Sequence, residues 1–220
     1  DRSGEQLVSV KEHIDHGDKY FSLRKYAKAL HRYSRAIKVD PTCAEAQFNR
    51  GVTFQALHRE KEALVDFTSA VRFCPSNPEY HFHRGYVLVL LERNIQAVES
   101  YDKAIALDSR SAEIHFRKGE SLQKLGRSFE ALNSYNEAIM IEPYDPRTFY
   151  KKGLLLRALK RIKKAIECYD KVIELDATHV DAVKSKGEWF RDLNRRSEDA
   201  NLYFGLVVYR DYSLGGRQIS

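Results

Sequence analysis

Residues 112–145 read AEIHFRKGESLQKLGRSFEALNSYNEAIMIEPYD, and their pattern of small and aromatic residues returns on both sides of them. Steps of 34 residues carry Gly119 onto Gly17, Gly51, Gly85, Gly153 and Gly187. The same steps carry Ala131 onto Ala29, Ala63, Ala97 and Ala165, and Tyr135 onto Tyr33, Phe67, Tyr101 and Tyr169. Three columns that hold one register over five windows mark an array of structural repeats.

One window contains two helices. Phe116, Leu122 and Leu125, with Gly119 placed where a second backbone comes close, give a first helix. Ala131, Leu132, Tyr135, Ala138 and Ile139 recur at three- and four-residue steps and define a second helix, with Ser128 as its expected N-cap. Two helices in contact leave no volume for a larger side chain at Gly119 or Ala131. Pro143 ends the second helix, as Pro41 and Pro75 do in their windows, because proline lacks an N–H and restricts the residue before it. Ser109 and Ala177 replace that proline in two windows, where Asp108 and Asp176 are expected to cap the following helix with their side chains.

Glycine at the eighth place, alanine at the twentieth, an aromatic at the twenty-fourth, alanine at the twenty-seventh and proline at the thirty-second resemble the tetratricopeptide repeat (TPR) pattern. The resemblance implies an all-α chain, a right-handed α-solenoid of about six helix-turn-helix hairpins, used as a protein-binding scaffold. It covers residues 10–209 as repeats 10–43, 44–77, 78–111, 112–145 and 146–179, followed by an atypical repeat over 180–209. Residues 1–9 form an N-terminal extension whose segment 5–8 is expected to lengthen the first helix, and 210–220 form a C-terminal tail. The last expected helix, around Ala200, Tyr203, Phe204, Val207 and Val208, has no polar cap after it. Either more protein follows, which is the favoured reading, or this helix self-associates. The chain begins with Asp1 and its single methionine is Met140, so a segment of a longer protein is expected.

The net charge is +6, and 31 acids are interspersed among 37 bases. That balance permits an acidic partner and is unlike a nucleic-acid-binding tail. Cys43, Cys74 and Cys168 form no CxxC pair and are odd in number, which points to a reducing, intracellular and most simply cytoplasmic setting. The longest apolar run, residues 86–91, is far too short to span a bilayer.

In the TPR arrangement, the first helices line a concave binding surface. On that resemblance the inward places hold Phe48, Val52, Phe82, Tyr86 and Phe116, then Arg117, Lys124, Arg147, Lys151 and Arg157. Between Pro146 and Ile166 there are eight bases and no acid. Of these, Lys160, Arg161, Lys163 and Lys164 read as a solvated face. An apolar set followed by a basic set suits a partner peptide with hydrophobic anchors and an acidic stretch. The aromatic residues can equally serve packing between hairpins. The carboxylate clamp of heat-shock co-chaperones is not reproduced, since Phe82, Tyr86 and Arg117 stand where its Lys, Asn and Asn belong.

His81 with His83 and His13 with His16 lack the second pair of ligands that a metal site needs, and no cofactor is expected. Nucleophile-elbow, phosphate-loop and HExxH motifs are absent, so the chain reads as no enzyme, or as the substrate-selecting domain of one. An RNA-reading helical repeat is the other alternative. Glu45, Glu79, Glu113, Glu120 and Asp181 at inward places oppose it by repelling a phosphate backbone.

Overall fold

The computed structural model describes residues 2–108 and 110–193, with side chains from 9 to 188. The second helix of the atypical repeat, its self-association, the tail and the side chains of Trp189, Phe190 and Leu193 lie outside the described residues. The chain divides into two compact units, Asp1–Arg127 and Ser128–Ser220.

The first unit holds α1 (Arg2–Ser22), α2 (Tyr26–Val39), α3 (Ala44–Ala56), α4 (Glu60–Phe73), α5 (Pro78–Leu90), α6 (Asn94–Leu107) and α7 (Ala112–Lys124). The second holds α8 (Ser128–Ile141), α9 (Pro146–Ala158), α10 (Ile162–Leu175) and α11 (Val180–Leu193). All described secondary structure is helical. Helices α3, α5, α7, α9 and α11 start 34 residues apart, and so do α2, α4, α6, α8 and α10. In the first unit α1 pairs with α2, α3 with α4 and α5 with α6, while α2 packs on α3, α4 on α5 and α6 on α7. In the second, α9 pairs with α10, flanked by α8 and α11. Helix α1 runs unbroken from Arg2, so the expected extension is part of the first helix.

The repeated columns are the core. Ala29, Ala63, Ala97, Ala131 and Ala165 are buried together with Tyr33, Phe67, Tyr101, Tyr135 and Tyr169. Apolar clusters tie neighbouring hairpins: Val10, Ile14, Ala36 and Ala46 join α1, α2 and α3, while Leu88, Ala97, Tyr101, Ala104 and Ile114 join α5, α6 and α7. The glycine column answers to the aromatic column. A Cβ on Gly51, Gly85 or Gly153 would lie 2.7–2.8 Å from the ring of Phe67, Tyr101 or Tyr169, and one on Gly17 would collide with Tyr33. What excludes a side chain at these glycines is a ring sixteen residues ahead, rather than the close backbone expected from the sequence.

Three local expectations change. Ser128 is the first residue of α8 rather than a cap before it. The second helices start after Lys25, Arg59, Arg93 and Arg161, none of which supplies a side-chain cap. Side-chain caps sit instead on first helices, where Asn77 accepts from Glu79 N–H and Asp145 from Arg147 N–H, each with a proline at the first helical turn. Asp108 and Asp176 brace the turn itself: their Oδ1 atoms accept from Arg110 N–H at 3.0 Å and Thr178 N–H at 2.9 Å. Helix α11 takes its first bond from His179, whose Nδ1 accepts from Ala182 N–H at 3.2 Å.

The turn inside each hairpin bends through one left-handed residue. Arg24, His58, Glu92 and Lys160 have φ of 55–60°, and Gly126 has 73°. These positions are again 34 apart, yet only Gly126 suits the conformation, since a Cβ there costs about 1 kcal/mol. Replacing His58 and Lys160 together by glycine is therefore expected to raise stability by about 1–2 kcal/mol, read from the urea midpoint at unchanged m-value. A lower midpoint would show that the side chains contribute more than the turn strain costs.

Candidate peptide-binding surface

In the first unit α1 touches α3 and α5 touches α7, so first helices lie beside one another there. Rings connect α3 to α5: Phe48 lies 4.7 Å from Tyr80 and 5.1 Å from His83, centroid to centroid. Phe48, Val52, Phe82 and Tyr86 are half-buried. Each packs one side against the cores around Phe67 and Tyr101 and leaves the other accessible. They serve hairpin packing and surface at once.

Phe116 does not. It is 5% exposed, so the ring expected to meet a ligand belongs to the interior. Arg117 also differs from a cation awaiting a partner. Its Nε donates to Glu113 Oε1 at 2.7 Å and its Nη1 to Glu120 Oε2 at 3.1 Å. Its guanidinium also stands 5.5 Å from the Tyr86 ring centroid. Arg117 therefore holds Tyr86 in place and neutralises two of the inward acids. Lys124, in the last turn of α7, is exposed.

The basic residues of the second unit are placed by α9. Arg147 is exposed and its Nε donates to Asp145 Oδ1 at 3.0 Å. Lys151 is half-buried one turn on, and Arg157 reaches Glu188 of α11 at 3.8 Å. Two of these cations thus already face carboxylates, across geometries open enough to be exchanged for a ligand's.

His83 is the residue whose role the sequence did not disclose. Its ring lies 5.1–5.5 Å from those of Phe48, Phe67 and Phe82, and its Nδ1 is 3.3 Å from Gln55 Oε1. Burial among these rings pushes its pKa down to about 4. It is a neutral spacer beneath the apolar surface. His81, two residues away, turns elsewhere: its Nε2 lies 2.9 Å from Pro75 O. Among the described residues no three His, Cys, Asp or Glu side chains are grouped as a metal site would need. None of the described helices is long and apolar enough to cross a membrane.

Sequence profiles described as TPR repeat match residues 17–57 and 91–126, and profiles described as Tetratricopeptide repeat match 112–145 and 146–179. The chain belongs to the tetratricopeptide repeat family. Solved structures agree on the fold. The crystal structure of YrrB, described as a TPR protein with an unusual peptide-binding site, is 27% identical, with a TM-score of 0.73 over 79% of this chain and 90% of that one. A crystal structure of MamA is 20% identical, with a TM-score of 0.74 over 79% and 94%. MamA 41-end from Desulfovibrio magneticus RS-1 is 15% identical, with a TM-score of 0.73 over 78% and 97%. No curated protein matches the sequence. A TPR array is a scaffold for interaction with other proteins, and that is the function class of this chain.

Proposed function

We propose that the chain captures a partner peptide carrying hydrophobic anchors and an acidic stretch, and that it acts as an adaptor rather than as a catalyst. The anchors lie on Phe48, Val52, Phe82 and Tyr86 of the first unit, with Arg117 fixing Tyr86. The acids meet Lys124 in that unit and Arg147, Lys151 and Arg157 in the other. Phe116, being interior, takes no part. The observation that carries the reading is the set of four half-exposed apolar side chains on α3 and α5, whose inner sides are already held by the core. A preorganised apolar surface binds without the entropic cost of ordering its side chains. YrrB, similar in fold and described as having a peptide-binding site, supports the class of ligand.

The test is a peptide library that varies apolar anchors and acidic runs independently, followed by fluorescence anisotropy on the best binder. Tyr86→Ser is expected to weaken it about tenfold or more, as loss of an aromatic anchor does. Arg147→Glu with Lys151→Glu is expected to weaken it in a salt-dependent manner. Unchanged affinity in the Tyr86 variant, with helicity intact, would remove the apolar surface as the site.

A further inference from the structure

A second column of the repeat leaves one basic residue, Lys152, with neither a carboxylate nor a hydroxyl at the positions that answer the others. The residue before each conserved-register glycine is basic in five windows: Arg50, Arg84, Lys118, Lys152 and Lys186. Arg50 donates to both carboxylate oxygens of Asp66 at 2.7 Å and to Ser34 Oγ at 3.1 Å. Arg84 donates to Ser100 Oγ at 3.1 Å, Lys118 meets Asp102 at 2.6 Å, and Lys186 is paired with Asp170. Two side-chain positions supply these partners. One holds Asp66 and Ser100; the other holds Ser34, Asp102 and Asp170. At Lys152 the corresponding residues are Cys168 and Asn136, so neither carries a charge to answer the ammonium. Burial raises the Cys168 thiol pKa and keeps it neutral.

At that place the second unit opens a furrow of about 310 Å³ between α8, α9 and α10. Asn136, Lys152, Leu156, Arg161, Lys164 and Glu167 line it. Three cations against one carboxylate leave two positive charges over. A single carboxylate would balance one of them, whereas a phosphoryl dianion balances both and offers three acceptor oxygens to two ammonium groups and a guanidinium fork. Arg161 is already held, its guanidinium 5.4 Å from the Phe129 ring centroid. The furrow shares no residue with the proposed peptide surface.

We propose that the α8–α9–α10 furrow is a phosphoryl-binding site, occupied by free phosphate or by a phosphorylated side chain. Lys152 is its central contact, with Arg161 and Lys164 on its rim and Asn136 donating its amide N–H to a phosphoryl oxygen.

Titration of the chain with inorganic phosphate at pH 7.5 and constant ionic strength, followed by heteronuclear NMR, tests it. Saturable shifts are expected at 136, 152 and 161–164. Asn136→Asp restores the acid that stands at Asp102 and Asp170. Since Asn136 is exposed, the variant keeps its fold, and its own carboxylate is expected to weaken phosphate by about tenfold or more. Phosphoserine amide binding more tightly than phosphate would identify a phosphorylated side chain as the occupant, and equal binding would identify the phosphoryl group alone. Shifts that never saturate, equal shifts with acetate, or an Asn136→Asp variant that binds phosphate as the parent does would each overturn the proposal.

Discussion

Gly85→Ala is expected to lower the unfolding free energy by ~2 kcal/mol. Two effects of opposite sign compete. Alanine is the better helix former by about 1 kcal/mol, and Gly85 lies inside α5. Against that, the new Cβ would lie 2.7 Å from Tyr101 Cε1 and 2.9 Å from Cδ1. Tyr101 is 0% exposed and packs with Leu88, Ala97, Ala104 and Ile114, so the ring has no free volume to retreat into. Overpacking at such distances costs about 3 kcal/mol, the upper end of its usual range, and outweighs the propensity gain. Chemical denaturation of parent and variant decides the sign: a stabilised variant would show that the ring moves aside at little cost. Tyr101→Leu is destabilising on its own because it leaves a cavity. Combined with Gly85→Ala it is expected to cost at least about 1 kcal/mol less than the sum of the two, since the added methyl then occupies part of that cavity.

Lowering the pH from 7 to 5 is expected to cost about 2 kcal/mol of stability through His83 alone. The unfolded chain protonates this imidazole near its ordinary value of 6.5, whereas the folded chain holds it neutral down to about 4. Between those values the unfolded state binds a proton that the native state does not. The contribution is therefore complete above pH 6.5 and is lost progressively as the pH falls towards 4. The cause is burial among Phe48, Phe67 and Phe82, with Gln55 Oε1 as the polar neighbour at 3.3 Å. Urea unfolding of the parent and of His83→Leu at both pH values separates this group from His13, whose pKa is lowered by partial burial and by Arg35 and Arg32. The variant should lose about 2 kcal/mol less than the parent over the interval. Equal losses would mean that protonated His83 finds water without disturbing the surface. If the surface binds its peptide as proposed, affinity of the folded chain is unchanged by His83 between pH 7 and 5 and falls only near pH 4, where the ring beneath the apolar anchors becomes charged.

The sequence by itself determined the all-helical class, the period and the two helices of each window, because each depends on residues that are neighbours along the chain. Alanine and aromatic columns at three- and four-residue steps suffice to say which face of α2, α4, α6, α8 and α10 is buried. Prolines and aspartates likewise announce where those helices stop. The half-exposed Phe48, Val52, Phe82 and Tyr86 could be placed on first helices for the same reason.

Tertiary structure decided what each of those residues does. Phe116 and Phe48 share one place in the repeat and read alike. Only tertiary packing makes the first interior, at 5% exposed, while the second stays half at the surface. Arg117, expected to meet a ligand's acid, is the exception, because Glu113 and Glu120 stand four and three residues away on its own helix and that pairing is local. His83 read as half of a weak metal pair until three rings closed around it. The left-handed residues Arg24, His58, Glu92 and Lys160 carry no signal of their own, since a turn imposed by two packed helices overrides local preference at a cost of about 1 kcal/mol. The unanswered Lys152 was equally hidden. The residues at the two answering positions, Asn136 and Cys168, stand 16 residues away on either side along the chain, a relation that exists only once helices α8, α9 and α10 lie side by side.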